Sequence, residues 1–159
     1  FSMTIQTIGV ISDTHGLLRN EVFSLFEEVD LIIHAGDIGR PEVLTDLQAI
    51  APTVAVLGNV DVPYYFPKLR NTACIEILQK KIYVIHNISQ LAINPLQEKI
   101  SLVIYGHSHQ PKLEHKDGIY YFNPGSAGPK RFSNPISLGL IHITPDTIKA
   151  QHLTLSEKM

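Results

Sequence analysis

Hydrophobic positions in this chain fall into short runs. Residues 5–11, 31–34, 54–57 and 102–105 are dense in Ile, Val and Leu over a few positions each, which predicts strands buried on both faces. Between the first three lie two segments with apolar residues at helical spacing. One is 20–28, carrying Val22, Leu25 and Phe26; the other is 41–50, carrying Val43, Leu44 and Leu47 behind a Pro41 suited to a first turn. This alternation predicts parallel βαβ units. Beyond residue 70 the pattern changes. Segments 73–78 and 81–85 flank Gln79 and Lys80 as a hairpin would, and 119–122, 137–143 and 148–155 read as antiparallel strands, so a mixed sheet is expected. The stretch NPGSAGPKRFSN, 123–134, reads as a working loop.

No repeat, low-complexity tract or linker divides the chain, and 159 residues with 44% apolar content suit a single domain, taken as 3–159. Phe1 and Ser2 precede Met3, which reads as the natural start. With 13 basic and 15 acidic residues the net charge of -2 gives no general pull toward nucleic acid or anionic lipid. The lone Cys74 cannot form an internal disulfide, and no apolar run reaches the roughly 20 residues that span a bilayer, so a reducing cytoplasm is the expected setting.

The chemistry collects where the strands end. VISDTHG ends on Asp13 and His15, IIHAGD on Asp37, AVLGNVD on Asn59 and Asp61, IYVIHN on His86, and LVIYGHSH on His107 and His109. Carboxyl ends of parallel strands open into the crevice where α/β folds bind ligands, so these residues are expected to converge. Carboxylate, imidazole and amide without thiolate suit divalent manganese, iron, nickel or zinc. Asp13, His15, Asp37, Asn59, His86, His107 and His109 are too many for one ion. Two ions sharing a carboxylate, with Asp37 as the bridge, would each obtain about four protein ligands.

In their order along the chain, Asp-x-His, Gly-Asp, Gly-Asn, a lone histidine after a strand, and Gly-His-x-His resemble the calcineurin-like metallophosphoesterases, in particular their small single-domain bacterial and archaeal branch. The NPGS turn at Asn123 to Ser126 fits that branch as well. The resemblance implies an α/β fold, a four-layer αββα sandwich with two mixed sheets. It implies two divalent ions, manganese first, with nickel, iron or zinc as alternatives: Asp13, His15, Asp37 and His109 around one, and Asp37, Asn59, His86 and His107 around the other. A hydroxide bridging both ions would attack a small phosphodiester, with Asp37, Asn59 and His109 at the reacting centre and proton transfer unassigned between His109 and Asp61. Relatives of this kind imply a homodimer or homotetramer, with no membrane and no nucleic-acid partner expected.

Two departures refine the expectation. His86-Asn87-Ile88 stands where the family often has His-Gly-His. Val60 follows the Gly-Asn pair where phosphomonoesterases carry a histidine that protonates the leaving oxygen, so diesters with good leaving groups are favoured over alkyl ones. Two other functions compete: a non-catalytic scaffold of the same fold, as in the retromer subunit resembling this family, and a nuclease, ranked lowest for want of a basic groove.

Several residues also have ordinary structural readings. Asp13 and His15 taken alone could cap a helix and form a turn. His107 and His109 alternate as on a strand end, which would aim both at one face. His34 reads as a satisfied core histidine, and His115, His142 and His152 as surface or sheet residues. The aromatic run 63–66 reads as packing or interface, and Lys130 and Arg131 as a solvated pair. Asp61 stands evenly between supporting the site and plain solvation.

Overall fold

The computed structural model describes residues 5–131 and 133–157; Phe1, Ser2 and Met3, and Phe132 within the 123–134 loop, lie outside the described residues. The first half is the expected alternation of β1 (Gln6–Ile11), α1 (Asn20–Leu25), β2 (Leu31–His34), α2 (Pro41–Ile50) and β3 (Thr53–Ala55). The second half supplies β4 (Thr72–Ile77), β5 (Lys80–Ile85), β6 (Ile100–Ile104), β7 (Lys112–Lys116), β8 (Ile119–Asn123), β9 (Ser137–Ile143) and β10 (Ile148–Thr154).

Two mixed five-stranded sheets result, ordered β10-β9-β1-β2-β3 and β4-β5-β6-β8-β7. In the first, β1, β2 and β3 run parallel and β9 closes antiparallel on β1. In the second, β5, β6 and β8 run parallel between the antiparallel edges β4 and β7.

Three apolar clusters mark the interfaces of the layers. Val22 of α1, Phe26 just past its end, and Val43 and Leu47 of α2 pack on Ile11 and Ile32, covering the outer face of the first sheet. Ile8, Val10 and Ile33 meet Ile82, Val84, Leu102 and Ile104 between the sheets. All of these are fully buried, and each contributes on the order of 1.5–3 kcal/mol relative to exposure. Val103, Tyr105 and Ile119 on the outer face of the second sheet are covered by Ile88, Leu91 and Ile93, a segment containing a single 3₁₀ turn, Ile88–Gln90. The α/β sandwich is therefore thick on one outer face and thin on the other.

Four details differ from the sequence reading. Helix α1 stops at Leu25, short of 28, because Glu27 and Glu28 would place negative charge on its C-terminal dipole. The hairpin loop is Leu78 and Gln79, both in the left-handed region at φ 50° and 67°, one residue before the expected pair. β8 is parallel to β6 and antiparallel only to β7. β7, sequence KLEHK, is exposed at every position, so no hydrophobic period announces it.

Candidate metal centre

The sequence candidates gather at one end of the sandwich, on the turns that follow β1, β2, β3, β5 and β6. Five of the seven, Asp13, His15, Asp37, His107 and His109, hold φ between 47° and 74°. That left-handed conformation costs an L-residue about 1 kcal/mol or more, and concentrated strain of this sort is characteristic of sites where side-chain aim matters. His107 and His109 follow β6 rather than ending it, and they do not share a face. The His107 ring meets the edge of His86 at a centroid distance of 5.2 Å, while His109 lies 5.6 Å from the ring of His15. The helix-cap reading of Asp13 also lapses, since α1 begins at Asn20 behind Arg19.

Backbone bonds zip the first two turns together. The Asp13 amide donates to Gly36 O, His15 to Asp37 O and Gly16 to Ile38 O, at 2.7–2.9 Å. Close approach elsewhere requires glycine: a Cβ on Gly58 would overlap the Asp37 amide and carboxylate, and one on Gly106 would overlap the Ser12 hydroxyl.

Three of the candidate ligands share one arrangement, in which one polar atom is held by the protein and another is left facing the centre. Asp13 Oδ2 accepts from Ser12 Oγ at 2.7 Å and from the His107 amide at 3.1 Å, leaving Oδ1 free. Asp37 Oδ1 accepts from the Val60 amide at 3.0 Å, and its Oδ2 faces the imidazoles. His86 Nδ1–H donates to Ala35 O at 2.8 Å, which leaves Nε2 as the bare nitrogen. Asp13 Oδ1 then sits 3.3 Å from His109 Nε2 and 3.9 Å from both His15 Nε2 and His86 Nε2. Asp37 Oδ2 sits 3.2 Å from His86 Nε2 and 3.7 Å from His15 Nε2, and neither approach has hydrogen-bond geometry.

Asp13 Oδ1, His15 Nε2, His86 Nε2 and His109 Nδ1 are all buried without a hydrogen-bond partner. Each such orphan costs about 1–3 kcal/mol, and three of them, Asp13 Oδ1 with His15 Nε2 and His86 Nε2 each 3.9 Å from it, need a common partner. The donors form two groups, Asp13 with His15 and His109 and Asp13 with Asp37 and His86, each within 4.8 Å. An all-oxygen-and-nitrogen set of this kind fits divalent cations and supplies the missing partner. Asn59 and His107 are exposed and lie at the margin of these groups.

Electrostatics follow the same geometry. Burial would raise both aspartates, yet His109, Ser12 and His86 hold Asp13 below the usual carboxylate range, and His86 with the Val60 amide holds Asp37 lower still. Burial lowers His15 despite the carboxylates of Asp37 and Asp13, and the charge of Arg131 adds to that, which places Arg131 near the site. For His86 burial is outweighed by the nearer Asp37, and its pKa is raised.

Supporting residues were only partly legible. Asp61 is buried and clasps two turns at once, accepting from the amides of Ile38 (2.9 Å), Gly39 (3.0 Å) and Gly58 (2.8 Å), which settles its role as support rather than solvation. His34 is fully buried. Its Nδ1 accepts from the Gly36 amide, so Nε2–H donates to Thr14 Oγ1 at 2.9 Å and Thr14 donates on to Ile38 O. Burial brings its pKa down to about 4 and keeps it neutral. Within the NPGS turn, Asn123 Nδ2 donates to Gly106 O and Ser108 Oγ, and Ser126 Oγ donates to Asp13 O. The run 63–66 divides: Phe66 joins the first core, while Tyr64 and Tyr65 are exposed.

An α/β sandwich that gathers carboxylates and imidazoles on its strand-end turns defines the metallophosphoesterase class. The chain belongs to the calcineurin-like phosphoesterase superfamily, whose family model matches residues 7–146. It is 33% identical to a probable metallophosphoesterase of Methanothermobacter thermautotrophicus, over 91% of this chain and 90% of that one. It is 27% identical to the phosphodiesterase YfcE of Escherichia coli, over 82% and 84% respectively. A single-site variant of Vps29 from Entamoeba histolytica superimposes with a TM-score of 0.75 over 95% of this chain and 100% of that one. At 21% identity that likeness concerns the fold alone.

Proposed function

We propose that the protein is a metal-dependent phosphodiesterase with a dinuclear centre, held by Asp13, His15, Asp37 and His109 on one side and Asp37, Asn59, His86 and His107 on the other. The observation that carries this reading is the convergence of orphaned Asp13 Oδ1, His15 Nε2 and His86 Nε2 on one buried point. Asp37 remains the proposed bridge, because its Oδ2 stands between His15 of the first set and His86 of the second. When bound there, two divalent ions supply a nucleophilic water at neutral pH and neutralise charge on the phosphoryl oxygens. The chain's own part is to aim the ligands: Ser12, Val60 and Ala35 each occupy one atom of a ligand and present the other. Asn59 and His107 are exposed, so they border the side from which a diester enters.

Val60 is 52% exposed and offers only its backbone to the site, so no imidazole follows Asn59 to protonate a leaving alcohol. Aryl diesters should therefore turn over faster than alkyl ones, and phosphomonoesters slowly. A scaffold role retains the likeness of fold, but every ligand position carries a competent residue. The test is hydrolysis of bis(p-nitrophenyl) phosphate by metal-stripped protein with and without manganese, beside Asp37→Asn. Manganese-dependent turnover that the variant lacks is expected; no turnover with manganese, nickel, iron or zinc overturns the enzyme reading in favour of the scaffold.

A further inference from the structure

The strand ends that carry Asn59 and His86 enclose a cavity of about 430 Å³, within the range of small-ligand sites. It forms because Leu57 N–H bonds to Arg70 O and Thr72 pairs with Ile85, which draws the start of β4 between the end of β3 and the end of β5. Asn71, Thr72, Asn87 and Gln90 join Asn59 and His86 around it. Four carboxamides and a hydroxyl line one wall of a metal centre, and no aspartate, glutamate, lysine or arginine is among the lining residues.

This composition is selective. A carboxamide offers donor and acceptor side by side, as an alcohol hydroxyl does, so the two satisfy each other without net charge. A charged substituent would find no counter-ion among these residues and would lose hydration on entry. A nucleobase would want a ring to stack on, and apart from His86, committed to Ala35 O, the lining holds no aromatic. The side chains of Asn71 and Gln90 make no hydrogen bond within the described protein, and the Asn87 side chain spends only its Oδ1, on Ser89, leaving its amide N–H₂ uncommitted.

Resting on the phosphodiesterase reading, we infer that this cavity receives one alcohol arm of the substrate and selects a neutral, hydroxyl-rich one, a sugar or polyol. Asn71, Thr72 and Gln90 are its specificity residues.

The test uses phosphomonoesters that share the phosphate and differ in the arm, measured by calorimetry on manganese-loaded protein. Glucose 1-phosphate should bind about tenfold tighter than cyclohexyl phosphate, a ring of similar size without hydroxyls, as two further hydrogen bonds would give. In the double variant Asn71→Ala, Gln90→Ala the preference should fall to within about twofold, while cyclohexyl phosphate binding and the bound manganese content stay at parent level. Equal affinity for the two rings, or tighter binding of phosphocholine or thymidine 5′-monophosphate, overturns the inference. Turnover is scored separately: an active enzyme without the hydroxyl preference sinks this inference alone, and an inactive protein that keeps the preference sinks the catalytic reading alone.

Discussion

The two halves of the site are built to different standards of enclosure. In the first, Asp13 and His109 are sunk in the fold at 0% and 7% exposure, and His15 is half-buried beside them. Asp37 and His86 are buried too, but their remaining proposed partners, Asn59 and His107, stand in solvent. Their foundations differ as well. The first half rests on fixed internal groups, with Ser126 on Asp13 O, Asn123 on the turn carrying His109, and the His34–Thr14 relay beneath. The second hangs largely on one carboxylate, Asp61, which ties the Asp37 turn to the Asn59 turn. A closed half holds its ligands still, and an open half leaves room for a substrate beside them, which is where the amide-lined cavity lies.

The largest effect should come from Asp13, whose Oδ1 lies 3.3–3.9 Å from imidazole nitrogens of both halves. Asp13 belongs to both donor groups, so Asp13→Asn is expected to empty the centre of metal and drop turnover to background. Metal analysis after gel filtration checks this; a variant that keeps two ions would show that the centre does not depend on the Asp13 carboxylate. Next is His107→Ala, which touches the open half alone. One ion of two should be lost and turnover should fall, while thermal stability moves by no more than about 0.5 kcal/mol, as for an exposed side chain. Loss of both ions would mean that the halves are not separable.

Asp61→Ala strikes the foundation of the second half. It strands the buried amide of Ile38 and the half-buried one of Gly58, at about 2–4 kcal/mol of stability, and lets the Asp37 turn drift, weakening metal binding by about 10–100-fold. Asp61→Asn keeps one acceptor and should lie between. Chemical denaturation and metal titration of the three proteins measure both effects, and a stable Asp61→Ala with parent metal affinity would refute the clasp.

That clasp also shows where sequence reading stops. The strands and their ligands were legible, because β-branched runs ending in Asp, His and Asn carry their meaning in a few consecutive residues. Asp61 was ambiguous because its partners are backbone amides more than 18 residues away, at Ile38 and Gly39, and no residue type there advertises a bare N–H. Asn123 and Thr14 act through the same kind of remote contact. β7 was invisible for another reason: an exposed edge strand buries nothing and so needs no hydrophobic period. The aim of His107 and His109 was misjudged because alternation sets direction only in extended chain, and both residues are left-handed.

The smallest effect concerns the floor of the first half. His34 is neutral in the fold with a pKa of about 4, against 6.5 for the free side chain, so between those values the unfolded chain binds a proton that the folded chain does not. Stability contributed by neutral His34 is thus complete above pH 6.5 and declines as pH falls toward 4, by about 2 kcal/mol at pH 5 relative to pH 7. His86 works in the opposite sense, since its raised pKa adds stability at lower pH that is lost as pH rises. Asp13 and Asp37, both lowered, lose theirs only as pH falls further, below the ordinary carboxylate range. The clean comparison is therefore between metal-stripped parent and His34→Gln, denatured at pH 7 and pH 5. His34→Gln removes the titrating group, so its stability should fall less than the parent's over that interval. Equal losses would mean that burial does not hold His34 neutral, and that the closed half owes its rigidity to Ser126 and Asn123 instead.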